Sequence, residues 1–197
     1  MTSTPDPVYS RTDRISGALN WHGNPLGGIP VDLYNYNESI TYQHTVTDEL
    51  GRYYFLNVGA DQYSVRFNSQ GKAGSAAANP IYSWISAGGT KNNNVALVMN
   101  EDLEKMDLKI IFPTQGISFN TTTPVFSWQP YPDAAYYTII LDWLTTNRTR
   151  LENDSRINGT TYAPKSPLQL GKYSMRLSAW DAQNHRFAFG DVSFAIQ

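Results

Sequence analysis

Hydrophobic and polar side chains alternate with a period of two along much of the first half of this chain. Ile15, Leu19 and Trp21 would share one face of an extended segment, whereas Ser16 and Asn20 would lie on the other. Such alternation is typical of a β-strand that buries one face. No stretch of the chain shows apolar residues at i, i+3, i+4 and i+7 over three turns, so the sequence predicts an all-β protein.

Alternating segments recur at short intervals along the whole chain, and turns rich in glycine and proline separate them. Regular short strands divided by turns predict β-sandwiches. A small, polar stretch over residues 69–79 is predicted to be a mobile loop. The predicted strands include residues 15–21, 31–33, 40–46, 53–55, 63–67, 81–85 and 94–99 in the first half, and 110–113, 124–128, 137–141, 173–179 and 192–196 in the second.

The length of the chain, 197 residues, is long for one small domain and suits two of about 100 residues each. A charged stretch near the middle separates the two groups of predicted strands. The sequence therefore predicts two tandem β-sandwiches. The predicted order is a disordered leader over residues 1–7, a sandwich over 8–100, a hinge over 101–107 and a sandwich over 108–197.

Composition excludes several classes of function. The net charge is −2 and no cluster of Lys and Arg stands out, which argues against nucleic acid as a partner. No apolar run approaches the ~18–20 residues that span a bilayer, so direct membrane insertion is not predicted. The chain has no cysteine, which excludes disulfides, thiolate metal sites and cysteine nucleophiles.

Four spaced motifs occur in order in the first half: Ile15-x-Gly17-x-Leu19, Gly23-x-Pro25-Leu26-x-Gly28-x-x-Val31-x-Leu33, Thr47-Asp48-x-x-Gly51-x-Tyr53-x-Phe55 and Tyr63-x-Val65. Together they resemble the carboxypeptidase-regulatory-like domains, which have a transthyretin-like β-sandwich. The resemblance covers about residues 12–99. Gln62 departs from the pattern, because the family usually has glycine before the tyrosine of the last motif.

Three further motifs occur in the second half: Pro124-x-Phe126-x-Trp128, Ala134-Ala135-x-Tyr137-x-Ile139 and Leu170-Gly171-x-Tyr173-x-Met175-x-Leu177-x-Ala179-x-Asp181. They resemble a bacterial fibronectin type III-like module over about residues 108–197, with Met175 where such modules often have Trp. Both resemblances imply modules of secreted or surface-attached bacterial proteins. Such modules space, present or support other domains and are mostly not catalytic.

The sequence offers little catalytic chemistry. Its three histidines are scattered, without the H-E-x-x-H spacing of a metal site, and neither G-x-S-x-G nor a phosphate-binding glycine loop occurs. We therefore predict no enzyme activity and no cofactor. Asp48, Glu49 and Asp61 are candidate oxygen ligands for calcium, although their spacing is not that of an EF-hand. The alternative, which the sequence favours, is that Asp48 caps a β-turn with its own side chain.

Exposed aromatic residues give a second candidate site. Tyr34 and Tyr36 are predicted on the face opposite Val31 and Leu33, and Trp84 is also not easily buried. Such rings stack on the apolar faces of sugars, and they are enriched at protein interfaces. The alternative, again favoured, is that tyrosine simply suits half-exposed strands.

We therefore predict a non-catalytic structural or adhesive segment of an extracellular or cell-surface bacterial protein, whose partners are other domains of a larger protein or assembly. One alternative is a carbohydrate-binding module that uses Tyr34, Tyr36 and Trp84 on a polysaccharide. Another is a surface component of a virion or filament, because Met1 is followed by no apolar signal core.

Overall fold

A computed structural model of the protein describes residues 12–67, 86–92, 95–145 and 149–197. Within these ranges the chain forms strands, turns and loops without any helix, so the predicted all-β fold is confirmed. None of the described residues belongs to a helix long and apolar enough to span a membrane. The predicted leader, the predicted loop over 69–79 and the predicted strand over 81–85 lie outside the described residues.

The chain divides into two compact units, Met1–Leu103 and Glu104–Gln197. The stretch predicted as a hinge, 101–107, contains a short strand, Glu101–Asp102, and the division falls just after it. The strands described in unit 1 are β1 (Ile15–Trp21), β2 (Asn24–Pro25), β3 (Pro30–Asn35), β4 (Ile40–Val46), β5 (Arg52–Phe55), β6 (Asp61–Phe67), β7 (Ser86–Lys91), β8 (Leu97–Val98) and β9 (Glu101–Asp102).

Unit 1 is a sandwich of two sheets. In the first sheet, β1 pairs antiparallel with β2 and β5 and parallel with β8 and β9. The second sheet has the order β4-β3-β6-β7 and is antiparallel throughout. Every second side chain points inward, so one core collects residues of both sheets. They include Ile15, Leu19, Tyr53 and Phe55 from the first sheet and Val31, Leu33, Tyr63, Val65 and Phe67 from the second.

Unit 2 contains one small and one large sheet, of order β10-β12-β15 and β11-β17-β16-β13-β14. The long strands of the large sheet pair antiparallel, and β11 joins its edge parallel to β17. The strands described here are β10 (Ile110–Phe112), β11 (Ser118–Phe119), β12 (Phe126–Trp128), β13 (Tyr136–Trp143), β14 (Thr149–Ile157), β15 (Thr161–Tyr162), β16 (Gly171–Trp180) and β17 (Arg186–Ile196).

Aromatic side chains fill much of the core of unit 2. Trp128 meets Tyr137 edge-on at 5.4 Å between ring centroids, and Tyr173 stacks on Phe194 at 5.3 Å. All four rings are buried. Edge-on and offset contacts of this kind suit the quadrupoles of the rings and stabilise the core beyond simple burial. The opposite face of the large sheet carries polar side chains such as Ser174 and Arg176 together with aromatic ones, since Tyr136 stacks on Trp180 there.

Candidate functional site

The predicted tyrosines lie on the outer face of the β4-β3-β6-β7 sheet. Since Val31 and Leu33 point into the core, the alternation of β3 turns Tyr34 to the opposite face. Tyr36 follows just after the strand, and its ring meets that of Tyr34 edge-on, with 5.7 Å between centroids. Tyr34 is half-buried and Tyr36 is 45% exposed. Trp84, the third predicted platform residue, lies outside the described residues.

A positively charged side chain lies against one ring of the tyrosine pair. The guanidinium carbon of Arg66 lies 3.4 Å from the centroid of the Tyr34 ring, a close cation–π contact. The pairing of β3 with β6 places Asp32 opposite Arg66, and Asp32 Oδ1 is 2.5 Å from Nδ1 of His44. Because Arg66 covers one side of Tyr34, the ring of Tyr36 is the more accessible surface for a ligand.

A buried hydroxyl lies beneath this aromatic pair. Ser64 is opposite Tyr34 on one side and Gly88 on the other, and it is 1% exposed. Its Oγ has no hydrogen-bond partner among the described residues. A small side chain at this position, with glycine beside it, leaves room for the tyrosine rings to lie across the sheet.

Asp48 lies in the turn between β4 and β5, and its side chain accepts hydrogen bonds from the backbone of that turn. Its Oδ1 accepts hydrogen bonds from the N–H groups of Leu50 and Arg52 at 2.9 and 2.8 Å, and its Oδ2 accepts from Nε of Arg52 at 2.8 Å. Desolvation would raise the pKa of Asp48, but these bonds from Arg52 and Leu50 outweigh it and hold the pKa below its usual value. Gly51 supplies the positive φ, +71°, that the turn requires. Both carboxylate oxygens of Asp48 therefore stabilise the turn. The side chain of the neighbouring Glu49 is exposed.

Asp61 serves a different turn. Its Oδ2 accepts a hydrogen bond from Nδ2 of Asn35 at 3.0 Å, and its Oδ1 accepts from the N–H of Gln62 at 2.7 Å and from Nδ2 of Asn37. The bond from Asn35 is the largest cause that lowers the pKa of Asp61. These contacts tie the β3–β4 turn to the start of β6.

The structure does not bring Asp48 and Asp61 together. Asp61 accepts a hydrogen bond from Asn35, the last residue of β3. Asp48 lies two residues after Val46, which pairs with Pro30, the first residue of β3. At about 3.4 Å per residue, the two ends of β3 lie roughly 17 Å apart. No group of three or more acidic, histidine or cysteine side chains in the described ranges is placed to hold a metal ion.

A concave polar site, which the sequence analysis missed, lies on the outer face of the large sheet of unit 2. It is a pocket of about 490 Å³. Most of the residues that line it lie on β13, β16 and β17, and Arg150 of β14 and Gln115 complete the lining. Only the register of the strands shows that these residues converge. Its polar residues include Asp142, Arg150, Ser174, Arg176, Asp191 and Ser193.

Two ion pairs organise this pocket. Arg176 binds both carboxylate oxygens of Asp191, with Nε and Nη2 at 2.7 and 2.8 Å, and these bonds raise the pKa of Arg176. Nε of Arg150 lies 3.0 Å from Oδ1 of Asp142, whose side chain is only 4% exposed. Paired charges of opposite sign leave the pocket nearly neutral, and they hold its donors and acceptors in fixed places.

Comparisons with known proteins find similarity only among solved structures. No protein-family model matches the chain, and neither does any curated protein. The fibronectin(III)-like modules of CbhA from Clostridium thermocellum are 12% identical, with a TM-score of 0.34 over 46% of this chain and 95% of that chain. A candidate carbohydrate-binding protein from Bacteroides uniformis is 15% identical, with a TM-score of 0.34 over 92% of this chain and 98% of that one.

BcpA, the major pilin subunit of Bacillus cereus, is 9% identical, with a TM-score of 0.44 over 93% of this chain and 68% of that chain. Similarities at these TM-scores do not indicate a function. The function of this chain therefore has to follow from its own residues.

Proposed function

We propose that the chain is a non-catalytic structural segment of an extracellular or cell-surface protein, in which two β-sandwich units space or present other domains. The observation that supports this most is the use of its carboxylates. Asp48 and Asp61 fix turns of unit 1, while Asp142 and Asp191 are paired with arginines across strands of unit 2. These groups hold the fold rather than stand ready for proton transfer.

Each unit also has the parts of an independent module. Unit 1 closes a core of its own between two sheets, and the aromatic core of unit 2 is built from its own strands. A domain with its own core can fold alone. Two such units in tandem would separate other domains of a larger protein, which is the task of a spacer.

Solution scattering at several protein concentrations tests the spacer function. We expect a monomer whose dimensions do not change with concentration. Growth of the particle with concentration would contradict a spacer and favour the alternative of a filament or virion surface component.

The exposed tyrosine of unit 1 favours carbohydrate binding as a second candidate function. Tyr36 is accessible, and its neighbour Tyr34 is held in place by Arg66. Affinity electrophoresis through gels that contain polysaccharides tests this, with Tyr36→Ala as the variant. Tyr54→Ala is a matched control, because Tyr54 is 46% exposed but belongs to the other sheet of unit 1. Retardation lost in Tyr36→Ala alone would support this site, and Trp84→Ala tests the remaining predicted residue.

A further inference from the structure

The pocket of unit 2 is built by two adjacent rows of side chains that run across the large sheet. In one row, Asp142 of β13 pairs with Ser174 of β16, which pairs with Ser193 of β17. In the next, Arg176 pairs with Asp191. Side chains opposite each other on one face are about 4.5–5.5 Å apart. The two rows therefore present hydroxyls, carboxylates and a guanidinium within reach of a single small ligand.

Several polar side chains of the pocket are held in place by contacts within it. Arg176 is fixed from one side by the two bonds to Asp191, and its guanidinium carbon lies 4.6 Å from the ring centroid of buried Phe189. Gln115 is fixed at the edge of the sheet, because its Oε1 accepts a hydrogen bond from the N–H of Ser193 at 2.9 Å. A site whose donors and acceptors are already in place loses little entropy when a ligand binds.

The charges of the pocket define the class of ligand. The charges of two arginines and two aspartates sum to zero. The carboxylates would repel an anion and the guanidinium groups would repel a cation, so neither charged class of ligand is favoured. A hydroxyl group donates one hydrogen bond and accepts others, so neighbouring hydroxyls match a surface on which donors and acceptors alternate. The volume of about 490 Å³ lies within the roughly 300–1,000 Å³ of typical small-molecule sites.

The exposure of the arginines leaves the pocket open to solvent. Side chains of Arg150 and Arg176 are 55% and 43% exposed, whereas Asp142 is nearly covered and forms part of the floor. A polar pocket without an aromatic floor gives weak affinity for a single sugar, and repeated contacts along a polymer compensate for this. A polysaccharide is therefore a better probe than a monosaccharide.

We infer that this pocket of unit 2 binds a neutral, hydroxyl-rich ligand, namely a sugar residue of an uncharged polysaccharide. The site is independent of the tyrosines of unit 1, and it adds a binding function to the proposed spacer. The exposed Asp191 accepts hydrogen bonds from sugar hydroxyls, and Arg176 and Ser174 donate to them, while Asp142 holds Arg150 in place.

Affinity electrophoresis of the whole chain tests this site. The gels contain laminarin, xylan or galactomannan as uncharged polysaccharides, or alginate as an anionic one. The double variant Arg176→Gln with Asp191→Asn removes both charges together and breaks the two-bond contact between these side chains. Ser174→Leu places a bulky apolar side chain in the pocket. Lys172→Gln is the control, because Lys172 is exposed on the same strand outside the pocket. We expect retardation by an uncharged polysaccharide, an affinity at least tenfold weaker in both pocket variants and no change in the control.

Three outcomes would overturn the inference: no retardation by any uncharged polysaccharide, retardation by alginate alone, or retardation that the pocket variants retain and Tyr36→Ala removes. Circular dichroism of each variant shows whether it is folded, and two pocket variants of different design prevent one misfolded protein from deciding the result. The spacer function is measured separately by scattering. Failure of the pocket and failure of the spacer are therefore distinguishable.

Discussion

The hydroxyl of Tyr53 donates a hydrogen bond of 2.6 Å to the carbonyl oxygen of Met99, a residue 46 positions further along the chain. This bond passes over Gly17 of β1, where an added Cβ would lie 1.7 Å from the Met99 oxygen and 2.6 Å from the Tyr53 hydroxyl. The N–H of Met99 in turn donates to the carbonyl of Ser16 at 2.8 Å. The segment around Met99 is thus held against β1 by a contact that only glycine permits.

Replacement of Gly17 by Ala should therefore destabilise unit 1 severely. The clash involves backbone atoms that cannot move aside, so we expect a loss of about 3 kcal/mol or more in the free energy of unfolding. Urea denaturation measures it. Gly59→Ala is the matched control, because an added Cβ there meets nothing within 4 Å, and we expect a change within about 0.5 kcal/mol. Equal stability of the two variants would show that the contact at Gly17 is not tight.

The two units should unfold independently if each carries its own core. Gly190 of unit 2, like Gly17 of unit 1, lies against a backbone carbonyl. An added Cβ at Gly190 would lie 2.3 Å from the carbonyl oxygen of Leu108. Differential scanning calorimetry should therefore show Gly17→Ala lowering one transition and Gly190→Ala the other, each by at least several degrees. If either substitution lowered both transitions together, the chain would be one cooperative unit and the division into two domains would be wrong.

The hydroxyl of Tyr53 should also make unit 1 sensitive to alkali. Burial, with a smaller contribution from the charge of Glu101, raises the pKa of Tyr53 above its usual value of 10.0. Since the folded state holds this proton more tightly than the unfolded state, the stabilisation is complete below about pH 10 and is lost as the pH rises further. Tyr53→Phe should cost about 1 kcal/mol at pH 8, because one hydrogen bond is lost.

The difference between Tyr53→Phe and the unchanged protein should become smaller between pH 8 and pH 11. Chemical denaturation at both pH values measures it. Tyr63→Phe is the reference variant. It also removes a tyrosine whose pKa is raised by burial, but it leaves the hydrogen bond from Tyr53 to Met99 intact. A difference for Tyr53→Phe that stays constant with pH would mean that its hydroxyl does not titrate with unfolding.

The alternation of side chains predicted much of this fold. Since side chains of a strand point to opposite faces in turn, an apolar residue at every second position indicates a strand that buries one face. Tyr53, Tyr63 and Tyr173 belong to predicted strands whose side chains alternate, and all three are buried in the cores. The alternation also places Trp21 on one face with Ile15 and Leu19, but its ring only packs against the core and is half-buried. The pairing of β1 changes along its length, and at Trp21 its antiparallel partner is the short, exposed β2.

The pocket of unit 2 was beyond the reach of sequence reasoning. Asp142, Ser174 and Ser193 come from three strands, and nothing in the local pattern of any one strand gives the register that aligns them. The contact of Arg66 with the ring of Tyr34 was equally unpredictable from the sequence, because it depends on the pairing of β3 with β6. Alternation determines which face a residue occupies, whereas register determines its neighbours on that face.

The role of Asp48 as a turn cap leads to a prediction with a defined pH dependence. Its pKa in the folded protein lies below the usual 3.8, so the carboxylate stabilises the fold at neutral pH and ceases to do so as the pH falls through the folded pKa. Asp48→Asn should therefore lower the free energy of unfolding at pH 7 by about 1 kcal/mol, a modest value because the ion pair with Arg52 is half-exposed and screened. At pH 3 the effect should be much smaller, and urea denaturation at the two pH values measures both.

Glu49→Gln is the control for this prediction, because Glu49 is the exposed neighbour of Asp48 and should contribute little at either pH. The same denaturation series with calcium separates the turn cap from the predicted metal site. If Asp48 caps the turn, added calcium leaves the free energy of unfolding unchanged, since both carboxylate oxygens already bind Arg52 and the turn backbone. A gain in stability with calcium that Asp48→Asn abolishes would contradict the cap and restore the calcium site.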